Sequence, residues 1–515
     1  MTIQDNHPLA HLQPQAVWQW FAEICAIPHP TFDEHRLGDY IVERAKAAGL
    51  AVDKDLKGNI RIQKPATQGM QDHAPVAIQA HFDMVAQKGL QSEHNFATDA
   101  IQTRVQDGWV WANDTTLGAD NGIGLAMGLA VAFSEDIAHP PLTLILTSEE
   151  EIGMGGVQAL SPDWLTMAYL INLDSEDAGA VFVGCAGGRN ASFSKTLPLN
   201  DSLNVNAKNT EFAPLQVTIS GLQGGHSGID IHKGLGNANR LLARLLAQML
   251  TAKVSTTDAN LPNFYLQTWQ GGVLRNVITR EATAVIVGDV ATLSTELQAQ
   301  FAIIQAEYQV AEPNLRLELT AVKTDPTHNM ALSSADTQHF LDLLLSIPNG
   351  VLRMSDSFAG VVETSISMGV VNLQSDKNDP KQAKFDILCL MRSLAQTPKD
   401  AVSNQLQSLA RLADVELTLG DDYPGWQPDP NSVMLAQSQQ AFNRFYGKPP
   451  TVEVIHAGLE CGILKGKAPH LDMISFGPTI RAAHSPKERV EIATVDQTWE
   501  ILLDLLAHFP KNGES

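Results

Sequence analysis

Cysteine is scarce in this chain. Cys25, Cys185, Cys389 and Cys461 are scattered through 515 residues and none stands in a CxxC spacing. Neither a disulfide framework nor a thiolate zinc site is implied, and all four read as small buried residues. Positive charge is also in deficit: the formal net charge is −22 and no Lys/Arg cluster interrupts it, so nucleic acid is not expected as a ligand. No apolar run approaches the roughly 18 to 20 residues that span a bilayer, so no membrane association is expected. The start, MTIQDNHPLAHLQPQAV, has no basic flank followed by an apolar stretch, which excludes the pattern of a secretory signal and points to the cytosol.

Hydrophobic residues, at 44%, supply enough material for a substantial core. With about 100 to 200 residues per domain as a guide, two domains are expected, one of them interrupted. From residue 17 to about 200, helical stretches (VWQWFAEICAI, GIGLAMGLAVAF) alternate with short apolar runs (VAIQA, LTLIL, YLINL). This predicts an α/β layer fold with a mixed, largely parallel sheet and helices on both faces, because continuously apolar strands need cover on both sides. Each run ends in polar, reactive residues, and open α/β sheets bind ligands at those strand ends.

The texture changes from Leu215. LQVTISGL, NANRLLARLLAQML, NFYLQTWQ, TAVIVGD, ELQAQFAIIQAEYQV and LRLELTAV read as a βαββαβ unit. From Ala335 an αββαβ order follows, consistent with a duplication. After the Pro- and Gly-containing DDYPGWQPDP the α/β texture returns. The expected division is a catalytic domain from residues 1–205 and 421–515, with 206–420 inserted as an α+β lid. DDYPGWQP and SKTLPLNDSLN are the expected hinges.

Candidate chemistry sits at the strand ends. His81 and Asp83, two apart in HFD, share a side of an extended chain, although an isolated HxD carries little information. Asp120 in TLGADNGIGLAMG also reads as a simple helix N-cap. Glu149, Glu150 and Glu151 end a buried strand, where three adjacent carboxylates repel one another unless a cation offsets them. Asp174 ends YLINLD in the same way, and strand-end Asp is common in ordinary turns. His484 alone reads as a loop histidine. Together, His and carboxylate donors without cysteine suit zinc or a similar divalent ion, and shared carboxylates suit two ions about 3.5 to 4 Å apart.

This set, in this order, closely resembles the M20 family of metallopeptidases, and within it the aminoacyl-histidine (Xaa-His) dipeptidase branch. The resemblance runs through IPHPTFDEH, KGNI, QAHFDMVAQKG, LGADNGIG, TSEEEIGMGG, NLDSED, GGHSGIDIHKG, YPGW, HAGLECG and SFGPTIRAAHSPKERV, nearly the whole length. It implies a di-metal aminopeptidase-like catalytic domain and a lid with ferredoxin-like units. One cation would be held by His81, Asp120 and Asp174, and the other by Asp120, Glu151 and His484, with zinc foremost and cobalt or manganese as alternatives. Asp83 would orient His81. The family pattern Glu-Glu-x-Gly aligns on Glu150-Glu151-Ile152-Gly153, making Glu150 the general base, with Glu149 as the one-residue alternative. His226 of GGHSG would stabilise the oxyanion, brought to the metals by domain closure or by a partner subunit. Arg392, Asn276 and Glu460 are the substrate-binding candidates, Arg392 for a C-terminal carboxylate. The implied substrates are unblocked dipeptides, Xaa-His above all, and the implied assembly is a homodimer. Tripeptides or N-acyl amino acids are alternative substrates, and a metal-binding scaffold without turnover is the alternative of another class.

Overall fold

The fold is that of a computed structural model, which describes residues 7–201, 212–251, 264–322 and 330–513. The chain divides into two units. The first comprises residues 1–185, 425–455 and 459–515, and the second comprises 186–424 with 456–458.

The first unit is built on an eight-stranded sheet whose order is Ala51–Lys54, Ile60–Lys64, Leu142–Thr147, Val76–His81, Tyr169–Asn172, Asp472–Ser475, Ala180–Cys185, Thr451–Ile455. Its centre is parallel and its Ala51–Lys54 edge is antiparallel, so the sheet is mixed. Val76–His81 is buried at every position, as its unbroken apolar run requires between two layers. The long helix Ala119–Phe133 is apolar nearly all round and packs on this strand and on the helix Gln15–Ala26. Its small residues permit the approach: a Cβ on Gly128 would come within 2.7 Å of Leu144 Cδ1. A separate four-stranded sheet joins Thr103–Gln106 and Trp109–Ala112 to Ile480–Arg481 and Arg489–Glu491, anchoring the C-terminal loop that carries His484.

The second unit holds a ten-stranded antiparallel sheet. Phe212–Ser220, Phe264–Gly271, Ala282–Asp289 and Arg316–Ala321, with helices Ala238–Thr251 and Val290–Tyr308, make the βαββαβ unit read from the sequence. Its strands run in the spatial order fourth, first, third, second. A second such unit follows: Val362–Ser375, Gln382–Ser393 and Glu416–Tyr423 with helices Ser334–Ser346 and Gln396–Leu412. Its first strand, absent from the sequence reading, is Gly187–Asp201, which pairs with both Gln382–Ser393 and Glu416–Tyr423. The two halves join edge to edge through Trp269↔Leu373 and Gly271↔Val371, over one continuous core that includes Leu242, Trp269, Phe340, Phe385 and Leu406.

That upstream strand corrects two expectations. The first unit boundary lies at 185/186 and not at 205/206, because residues 187–201 are spent on the second unit's sheet. SKTLPLNDSLN is likewise not a hinge as far as Asp201, since Pro198 through Gly187 are laddered to Gln382 through Ser393; its last three residues lie outside the described residues. The other candidate hinge, DDYPGWQP, does contain a boundary, at 424/425. There the Trp426 and Cys185 backbones exchange hydrogen bonds of 2.9 and 3.0 Å.

Candidate active site

Three strand ends, the start of the long helix and the loop carrying His484 converge in the first unit. His81 closes Val76–His81 and is 1% exposed. Its Nδ1 lies 3.1 Å from the Asp83 carbonyl and 3.4 Å from Asp83 Oδ1, both acceptors, so Nδ1 donates toward Asp83 and Nε2 is directed outward. Nε2 is 3.3 Å from Asp120 Oδ1 and 3.4 Å from Asp174 Oδ1. On the other side of Asp120, Oδ2 lies 3.1 Å from His484 Nε2, which is itself 2.9 Å from Glu151 Oε2. Two groups of donors able to hold a metal ion result, His81/Asp120/Asp174 and Asp120/Glu151/His484, with Asp120 common to both; a third, His81/Glu150/Glu151, overlaps them.

Local structure explains how these side chains are aimed. Asp120 lies at the start of the long helix with non-helical φ/ψ of −84° and 108°. That helix can approach the end of the Tyr169–Asn172 strand because Gly124 has no side chain: a Cβ there would be 2.2 Å from the Leu173 carbonyl oxygen, to which Asn121 Nδ2 also donates at 2.6 Å. Asp83 accepts from the Glu150 and Glu151 backbone N–H groups at 3.0 and 3.3 Å, tying the His81 strand to the acidic loop. Asn59 of KGNI supports that loop from beneath, accepting from Ser148 N at 3.1 Å and donating to the Gly156 carbonyl at 2.9 Å. His484 takes a left-handed φ of 62°, uncommon for a residue with a side chain and frequent where function constrains the backbone.

The electrostatics demand positive charge. Burial, with the charges of Asp120 and Glu151, pushes Asp174 up to about 7. Glu150 is raised by burial and by Asp174, Glu460 and Glu151, against the pull of His81. Hydrogen bonds to Asp120 and Glu151 push His484 up to about 11. Asp174 Oδ1 and Glu151 Oε1 are buried without a hydrogen-bond partner among the described residues. Oxygen and imidazole donors, unsatisfied carboxylate atoms and excess negative charge fit divalent cations well.

The acidic triplet divides by direction. Glu149 pairs outward with Lys57 at 2.5 Å, whereas Glu150 is turned among the buried acids. Glu460, expected with the substrate-binding residues, is 1% exposed; its Oε2 accepts from Gln79 Nε2 at 2.6 Å and Thr147 Oγ1 at 2.8 Å. Gln79 in turn accepts from Asn172 Nδ2 at 2.6 Å, so this carboxylate braces three strand ends under the site and does not line an open face. Gln79, Lys57 and Glu488 escaped the sequence reading. Glu488 is a buried acid in what reads as a charged turn, pushed up to about 7 by burial and by Asp120. Each lies inside a motif quoted for the family resemblance (KGNI, QAHFDMVAQKG and SFGPTIRAAHSPKERV), but nothing in its residue type or spacing singles it out.

In the second unit, Gly225↔Ile278 and His226↔Val277 form a short ladder that sets the exposed Asn276 beside His226. His226 Nδ1 accepts from the Gly228 and Ile229 N–H groups at 3.2 and 3.0 Å. The proton therefore resides on Nε2, which lies 3.3 Å from Arg392 Nη2. Two donors face each other with no acceptor between them. Burial and the guanidinium hold His226 neutral, with a pKa lowered to about 4. Arg392 is 4% exposed, donates to Tyr423 Oη at 3.2 Å, and keeps Nε unpartnered among the described residues. Buried donors so arranged have the chemistry to pair with a carboxylate.

Comparison with known proteins gives four further findings. A model described as Peptidase family M20/M25/M40 matches residues 77–508. The cytosol non-specific dipeptidase of Escherichia coli (strain K12) is 44% identical over 98% of this chain and 99% of its own. The crystal structure of aminoacylhistidine dipeptidase from Vibrio alginolyticus superposes with a TM-score of 0.87 at 40% identity, covering 98% of this chain and 99% of that one. Aminopeptidase PepT from Bacillus cereus, at 14% identity and a TM-score of 0.53 over 96% of this chain and 98% of that one, shares the fold alone.

Proposed function

Since the chain belongs to peptidase family M20/M25/M40 and is therefore a metallopeptidase, we propose that it is a cytosolic dipeptidase that hydrolyses the peptide bond of unblocked dipeptides, with Xaa-His preferred. Two full-length relatives carrying dipeptidase names support the substrate class, and the name of the Vibrio enzyme supports the histidine preference. Among the described residues no helix is long and apolar enough to cross a membrane. The observation that carries the proposal is Asp120, whose Oδ1 faces His81 at 3.3 Å while Oδ2 faces His484 at 3.1 Å, the disposition of a carboxylate shared by two cations.

His81, Asp120 and Asp174 would hold one cation, and Asp120, Glu151 and His484 the other. Zinc suits these donors best, with cobalt and manganese as substitutes. Bound there, the pair would supply an acidified water and a polarised scissile carbonyl. Glu150 takes the proton of the attacking water and returns it to the leaving amine, and its raised affinity for protons suits both halves of that task. Asp83 keeps the His81 tautomer correct. His226, as an Nε2–H donor, serves the oxyanion, while Arg392 takes the substrate's C-terminal carboxylate and Asn276 assists it. A homodimer is the proposed assembly; the doubled α+β unit offers a monomer as the competing expectation, and light scattering on the eluting protein separates them.

The test is metal quantification coupled to a panel of dipeptides, tripeptides and N-acyl amino acids. Preferred turnover of unblocked dipeptides, Xaa-His foremost, with two equivalents of metal supports the proposal. Preference for blocked or longer substrates overturns it.

A further inference from the structure

We propose that Glu488 is a positioning residue, the part of the fold that fixes Asp120 between the two histidine-bearing groups. The inference rests on the reading that Asp120 is shared by two cations.

The helix Ala119–Phe133 begins with a difficulty. The N–H groups of the irregular turn that enters it, where Asp120 and Asn121 are not helical, have no partners within the helix, and Gly118, the residue at its cap, has no side chain to supply one. Bulk water does not reach them, since Leu117 and Ala119 are completely buried. Glu488 supplies the missing acceptors from 368 residues away in sequence. Its Oε2 accepts from Leu117 N at 2.8 Å and Gly118 N at 3.1 Å, and its Oε1 accepts from Ala119 N at 2.7 Å and Asp120 N at 3.2 Å. Four consecutive backbone donors thus converge on one carboxylate that is 2% exposed.

The same short turn also carries His484. A 3.0 Å bond from Glu488 N to the Ser485 carbonyl folds it, and Arg489, stacked on Trp109 and Trp111, anchors its far side in the four-stranded sheet. One turn therefore grips Asp120 at both ends, with Glu488 on its backbone N–H and His484 on its carboxylate. A carboxylate that must serve two cations has little tolerance for rotation, and holding its peptide unit removes that freedom before any ligand arrives.

The test compares the full-length wild type with Glu488→Gln and Glu488→Asp. Glutamine keeps the shape but turns an NH2 group toward backbone donors; aspartate keeps the charge but is one methylene short. In metal-free protein, hydrogen exchange at residues 117–120 is expected to quicken in Glu488→Gln while circular dichroism stays that of the wild type. On metal loading, at least one zinc equivalent is expected to bind about 10- to 100-fold more weakly in a chelator competition, with a changed visible spectrum of the cobalt form. Glu488→Asp should recover part of each change, and kcat should fall with KM within about threefold of the wild type. Wild-type exchange at 117–120, or wild-type metal affinity and cobalt spectrum in Glu488→Gln, overturns the proposal. Failure of both variants to fold overturns it too, by making Glu488 a core residue only. If the wild type itself takes fewer than two equivalents, the reading of Asp120 as shared fails separately, and the exchange measurement still decides whether Glu488 holds its backbone.

Discussion

Replacing Glu150 by glutamine would remove the proposed base and little else. The variant keeps the volume of the side chain and the 3.0 Å bond from its own N–H to Asp83, so the loop that carries Glu151 is not expected to move. What is lost is proton transfer to and from the reacting atoms, a contribution of about 10²- to 10⁴-fold. At about 1.4 kcal/mol per tenfold, that is roughly 3 to 5.5 kcal/mol of barrier. One negative charge also leaves a cluster in which Asp174, Glu460 and Glu151 already raise the proton affinity of Glu150, so the metal-free variant should melt no lower than the wild type. The assay is kcat and KM on an unblocked dipeptide, with bound metal counted in the same preparation: kcat should fall by the stated factor with two equivalents retained. Glu149→Gln is the companion, because Glu149 is committed to Lys57 at 2.5 Å and should cost only a few-fold, well under one tenth of that effect. Near-normal turnover of Glu150→Gln would refute the assignment. Loss of one equivalent of metal would refute it differently, making Glu150 a ligand through the His81/Glu150/Glu151 group.

Exhaustive chelation should abolish dipeptide hydrolysis, and zinc, cobalt or manganese should restore it; unchanged turnover in protein verified to be metal-free would rule out the mechanism. Arg392→Ala should lower kcat/KM by about 10- to 100-fold through loss of a charged hydrogen bond, and the deficit should vanish with a C-terminally amidated dipeptide, whose anion is absent. Gly228→Ala should be comparably damaging, since a Cβ there would lie 1.9 Å from the His456 carbonyl oxygen and 3.0 Å from Arg392 Cδ; normal kinetics would show that this part of the second unit does not serve substrate. Burial and Arg392 lower His456 to about 3, below its unfolded value near 6.5, so it contributes stability that is fully present above about 6.5 and is lost as pH falls toward 3. His226, lowered to about 4 by burial and Arg392, acts in the same direction. Melting temperatures below pH 6.5 should therefore decline less steeply in His456→Asn than in the wild type, and equal slopes would contradict that origin.

Much of the chemistry was legible because it sits where apolar runs stop. His81 and Asp174 each end or directly follow a strand buried on both faces, and the acidic triplet follows a third, so a polar residue there has no role in the core and must be directed at something. Less legible were residues whose burial depends on distant partners. Glu460, expected to bind substrate, is instead a buried acid to which Gln79 and Thr147 donate. The strand Gly187–Asp201 was not legible, and its second half reads as a hinge, because its register comes from Gln382–Ser393, nearly two hundred residues downstream.

By itself the sequence predicted the alternating α/β layers and the βαββαβ order of the second unit, since periodicity and apolar runs are local properties of the chain, and its resemblance to a known family pointed to the residues around Asp120. Only the tertiary structure decided that Glu149 faces Lys57 while Glu150 faces inward, that Gly187–Asp201 completes the second unit, and that Glu488 closes over the backbone of Asp120. Each of those outcomes turns on satisfying a buried charge or a backbone donor with a partner far away in sequence. Which partner is near enough to do so is known only once the chain has folded.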